Sequence, residues 1–213
     1  MGVVRLCVAA LMALTLLAPR AWDRDRMQLS ARQHGPKAVV AVRALQALLT
    51  ELQPLDENDK LTAINEFYNQ RIVYSTDTQV WGLTDYWASP LEMLEKGRGD
   101  CEDYVIAKYF SLVALGVPAA RLRLVYVRAV LAGVVQAHMV LAYYPRPGAE
   151  PLILDNLVED MRLASARTDL TPVFSFNSVG LWQGVGTQGG DDPTTRLSPW
   201  RDVLAKARAE GFE

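Results

Sequence analysis

Residues 97–118 read GRGDCEDYVIAKYFSLVALGVP, and the change of character along this stretch decides the fold. Gly97, Arg98 and Gly99 form a turn. Beyond it Val105, Ile106, Tyr109, Phe110, Leu112, Val113 and Leu115 give a largely buried helix, which Gly116-Val117-Pro118 ends. Strand-like runs then take over at 122–130, 134–144, 152–154 and 172–176, with PRPG (145–148) as a turn between two of them. Upstream, 38–52 is periodic as a helix and stops at Pro54. A second helix covers 56–71 with acidic residues in its first turn, and WGLTDYWASP (81–90) reads as a packed aromatic loop. A short helix at 90–96 halts at Gly97, and 199–209 forms a closing helix. Helices first and an antiparallel sheet after them define an α+β fold.

Size and charge narrow the class. The 213 residues are 50% apolar with a net charge of −2, which suits one domain with an ordinary core. No internal repeat or basic stripe is present, so nucleic acid is not an expected partner. The segment 22–36 is polar and reads as a flexible lead that includes His34, which leaves 37–213 as the folded domain. The stretch 184–198 is loop-like.

The start of the chain carries a different message. A basic residue, Arg5, precedes the apolar run LCVAALMALTLLA (6–18), and small and charged residues follow. This reads as a secretory signal over residues 1–21, an uncleaved anchor helix being the alternative. No later segment reaches the roughly 20 apolar residues a spanning helix needs. Of two cysteines, Cys7 lies inside the signal, so the exported chain keeps Cys101 alone and forms no internal disulfide. Of two histidines, only His138 lies in the folded part.

Cys101 opens the buried helix. A helix N-terminus favours a thiolate, and the glycines before it leave the sulfur approachable. Asp100, Glu102 and Asp103 surround it. They serve as helix caps, or as oxygen ligands for a hard cation such as calcium, with Asp85 a further candidate ligand. His138 sits on one strand and Asp155 ends the next. A nucleophile, a base and an orienting carboxylate in that order fit a papain-like helix-and-sheet arrangement. The Cys101 N–H is one oxyanion donor, and the indole of Trp81 or Trp87 is a candidate for the second. The same residues are compatible with a transamidase, or with a non-catalytic calcium-binding module in which Cys101 is merely packed.

Three segments carry a family resemblance: residues 85–118 (DYWASPLEMLEKGRGDCEDYVIAKYFSLVALGVP), QAHMVL (136–141) and LILDNL (152–157). The chain resembles the bacterial transglutaminase-like cysteine proteinases, in particular the LapG type of periplasmic protease. The resemblance implies a transglutaminase-like fold with Cys101 as nucleophile, His138 as general base and acid, and Asp155 orienting the histidine. It implies calcium dependence through Asp100, Glu102 and Asp103. It further implies a large surface adhesin as substrate, cut near its N-terminal end at paired alanines with dispersal of a biofilm. An inner-membrane receptor for cyclic di-GMP is implied as the partner that sequesters the protease.

Overall fold

The structure, a computed structural model, describes residues 22–186 and 191–212. The segment 1–21, expected to be a secretory signal, lies with Cys7 outside them. Among the described residues no helix is long and apolar enough to cross a membrane.

The chain begins to fold earlier than its composition suggests. Asp23 accepts from the N–H groups of Asp25 and Arg26 and caps helix α1 (Arg24–His34), so the flexible lead expected at 22–36 is corrected to structure. Only Met27 and Ala31 of α1 are buried. That i, i+4 pair is too narrow a stripe to stand out among charged residues, yet it packs on α2 (Pro36–Leu52). Trp22 pairs with Phe212, and both are buried, so the domain closes on itself near its two ends. His34 ends α1 and is hydrogen-bonded to Glu95. Helix α2 buries Val42, Leu45 and Leu49, and α3 (Glu57–Arg71) starts on an Asp56 cap.

Short elements then build the approach to Cys101. Strand β1 (Val73–Tyr74) is followed by α4 (Asp77–Val80), the aromatic loop and α5 (Pro90–Lys96). Ser89 and Glu92 form a capping box at the start of α5, and Gly97 ends it in the left-handed conformation at φ 61°. Strand β2 (Arg98–Gly99) runs parallel to β1, with Tyr74 opposite Gly99. Helix α6 (Cys101–Ala114) comes next and is buried along nearly its whole length.

Six antiparallel strands complete the fold: β3 (Leu122–Leu131), β4 (Val134–Tyr143), β5 (Leu152–Leu154), β6 (Arg162–Leu163), β7 (Leu170–Phe176) and β8 (Leu181–Gln183). Their order in the sheet is β6-β5-β4-β3-β7-β8. Leu122, Leu124, Met139, Leu141 and Leu154 join the main core with the helices, while Val125, Val127, Val140, Ala142 and Ile153 form a smaller apolar strip. The region expected to be loop at 184–198 contains the single turn α7 (Pro193–Arg196). Helix α8 (Ser198–Ala209) closes the chain and buries Trp200 against Tyr109, Phe110 and Phe176.

Candidate active site

The turn ahead of Cys101 is specified by its glycines. A Cβ at Gly99 would lie 2.7 Å from the Asp103 carboxylate, so no other residue fits there. Asp103 turns back as a cap: one carboxylate oxygen accepts from the N–H of Ala88 at 2.7 Å, the other from that of Asp100 at 3.4 Å. This sets Cys101 as the first helical residue, with the aromatic loop fastened beside it.

The acidic group that forms keeps Asp100 and Glu102 of the expected ligands and differs in the others. Oxygens of Asp77, Asp100 and Glu102 lie within 4.8 Å of one another. Asp103 is committed to capping, and Asp85 is exposed and outside the cluster. Asp77 takes the third place. It lies 23 residues before Asp100 in sequence, and the β1–β2 pairing brings their segments together. A single-turn helix start between aromatic stretches gave no local signal for it.

One buried oxygen of Asp77 and one of Asp100 have no hydrogen-bond partner among the described residues. Burial pushes the Asp77 carboxyl up to about 6, with Glu102 and Asp85 adding to the push. Burial and the charges of Glu102, Asp103 and Asp77 push Asp100 up to about 9. Orphaned buried oxygens among mutually repelling carboxylates are the donor set of a hard divalent cation, and these residues fit one.

Cys101 is half-buried. Its thiol donates to Glu102 Oε2 at 3.0 Å and sits beside the backbone N–H of Met139. Burial raises the thiol pKa far above its usual range, the charges of Glu102 and Asp100 raise it further, and the Met139 amide pulls it down. The sulfur therefore lies against β4 one residue beyond His138. Among the described residues its hydrogen bond goes to Glu102 rather than to the imidazole.

His138 and Asp155 do meet. His138 Nε2 is 2.8 Å from Asp155 Oδ1, and both side chains are buried. That contact leaves Nδ1 as the ring nitrogen free for proton transfer. Asp155 Oδ1 also accepts from the N–H of Leu157. Its Oδ2 accepts from the guanidinium of Arg167 at 2.7 Å, and the same guanidinium reaches Asp169 at 2.8 Å. Burial alone would raise the Asp155 pKa, but His138, Leu157 and Arg167 outweigh it and hold the carboxyl down at about 2. Arg167 was missed in the sequence, where it stands alone in a polar turn.

The two indoles differ. Trp87 stacks on Phe176 with ring centres 5.7 Å apart, while Trp81 keeps a buried Nε1 without a partner among the described residues.

A thiol at a helix start, beside a strand whose buried imidazole is paired with a carboxylate, defines a papain-like thiol hydrolase site. The chain belongs to the family of bacterial transglutaminase-like cysteine proteinases, whose model matches residues 40–177. It is similar to LapG of Legionella pneumophila at 39% identity and a TM-score of 0.75, over 87% of this chain and 97% of that one. An EGTA-treated form of the same protein superposes at a TM-score of 0.77, again at 39% identity over 87% and 97%. A calcium-bound form gives 0.73 and 39% over 86% and 98%. Comparison with curated proteins gave no match. The protein is a cysteine peptidase with a transglutaminase-like fold.

Proposed function

We propose that the protein is a calcium-dependent periplasmic endopeptidase that uses Cys101, His138 and Asp155 to cut the N-terminal region of a large surface adhesin. Release of the adhesin then promotes biofilm dispersal. The observation that carries the catalytic part is the buried His138–Asp155 pair, braced by Arg167, on the strand whose next amide lies against the Cys101 thiol.

In this reading His138 Nδ1 takes the thiol proton as the sulfur attacks a peptide carbonyl. Asp155 holds the resulting imidazolium in place. The Cys101 N–H at the start of α6 donates to the developing oxyanion. His138 then passes the proton to the leaving amine, and the peptide C–N bond breaks to leave a thioester on Cys101. Water, losing a proton to His138, opens the thioester, and the proton returns to the sulfur.

Calcium dependence is supported by the orphaned oxygens of Asp77 and Asp100, and by the existence of a calcium-bound LapG structure. Asp77, Asp100 and Glu102 would hold the ion, which supplies positive charge where carboxylates now oppose ionisation of the thiol. The periplasmic location rests on the signal-like residues 1–21. The paired-alanine cleavage site and restraint by an inner-membrane cyclic di-GMP receptor rest on the family resemblance.

The test is incubation of the purified protein with the N-terminal fragment of a surface adhesin carrying paired alanines, followed by sequencing of the new terminus. Cleavage is expected in calcium, and none in EGTA or with Cys101→Ala. Cleavage by Cys101→Ala at the parent rate would end the reading.

A further inference from the structure

Lys108 is wholly buried, on the helix that starts with Cys101 and two turns along from it. A lysine is an unfavourable choice there. Burial of its ammonium is costly, and a methionine would fill the same space without that cost. Its three donors meet three acceptors: Asn65 Oδ1 at 2.8 Å, Asn69 Oδ1 at 2.8 Å and the main-chain carbonyl of Asp155 at 3.1 Å. The two amides belong to α3 and continue the network. Asn69 Nδ2 donates to the same Asp155 carbonyl at 2.8 Å, and Asn65 Nδ2 to the carbonyl of Glu159 at 2.8 Å. The segment that follows β5 is thus fastened at residues 155 and 159 to α3 and α6.

The target of this network distinguishes it from ordinary core polarity. It holds the backbone of the residue whose carboxylate orients His138, and it does so from the helix that carries the sulfur. We infer that Lys108 is a positioning residue of the peptidase, tying the main chain of Asp155 to the Cys101 helix and so setting the sulfur's distance from the His138–Asp155 pair. The inference rests on the reading of Asp155 as the acid of the triad. A displacement of that acid by a fraction of an ångström misaligns the imidazole without touching the substrate groove, so turnover falls and substrate binding does not.

The experiment is a double-mutant cycle on the full chain in calcium, with a fluorogenic peptide containing paired alanines. The four proteins are the parent, Lys108→Met, Asp155→Ala and the double variant. Lys108→Met is expected to lower kcat about tenfold or more with KM unchanged, and to cause no further loss once Asp155 is alanine. An unchanged kcat in Lys108→Met, or the same fold-loss in both backgrounds, would overturn the inference. A residue that only stabilised the fold would show that second pattern. Asp155→Ala with parental activity would instead remove the triad reading itself, so the two failures are separable. If Lys108→Met does not fold, Asn69→Leu, which removes two contacts of the same network at a half-buried position, takes its place in the cycle with the same outcomes.

Discussion

At Asp155 one carboxylate is gripped from three sides, by His138, by the N–H of Leu157 and by Arg167, in a place where burial alone would neutralise it. The donors win, and the group is held near 2 against an ordinary value of 3.8. A carboxyl whose folded pKa lies below its unfolded one contributes stability that is present above about pH 4 and is lost as pH falls towards 2. The shift corresponds to about 2 kcal/mol. Urea unfolding of the parent should therefore lose about 2 kcal/mol more between pH 5 and pH 2 than unfolding of Asp155→Asn. Parallel losses would contradict the assignment. Cys101, His138 and Asp155 stand out in the sequence because each sits at the start, within or at the end of a strongly patterned element, and the structure pairs the last two. Asp77 and Arg167 were not, because each becomes part of the site only through contacts made across the fold. Asp103, two residues beyond Cys101 in sequence, differs from its acidic neighbours because both its oxygens are taken up in caps.

Among the elements, α8 bears on the site through the aromatic loop. Lys206 donates to the Trp87 carbonyl and to Glu92, and Glu210 accepts from Ser89 and from the N–H of Leu91. The aromatic loop so held gives its Tyr86 N–H to Asp77 and its Ala88 N–H to Asp103. The helix itself is anchored by Trp200, fully buried among aromatic rings. Truncation of such a residue removes its burial and leaves a cavity. Trp200→Ala should cost about 3–5 kcal/mol in urea unfolding, and a loss below about 1 kcal/mol would show that α8 is not integral to the core. The main helices were readable from apolar periodicity because their buried faces are wide. Helix α1 was not, since two small contacts, Met27 and Ala31, and the pairing of Trp22 with Phe212 hold it in place.

For the whole molecule, the sequence pattern of helices followed by strands defined the two layers, while the strand order required the structure. In that order β4 lies between β3 and β5, so His138 on β4 and Asp155, the residue after β5, come side by side. A cation that binds only the folded state stabilises it by mass action. Calcium at a hundredfold excess over its dissociation constant should add about 2.7 kcal/mol, raising the melting temperature by roughly 5–10 °C for a chain of this size. EGTA should reverse the gain and Asp77→Asn should shrink it. A melting curve indifferent to calcium would show that the acidic cluster holds no stabilising cation.

In the proposed reaction the Cys101 sulfur attacks the scissile carbonyl with help from the His138 imidazole on β4. Acid-quenched mixtures of protein and peptide substrate, digested and mapped by mass spectrometry, test it most directly. An acyl group in thioester linkage is expected on Cys101 in the parent, and none in His138→Ala. Turnover by the parent with Cys101 unmodified at every quench time, and unblocked by alkylation of that thiol, would contradict it.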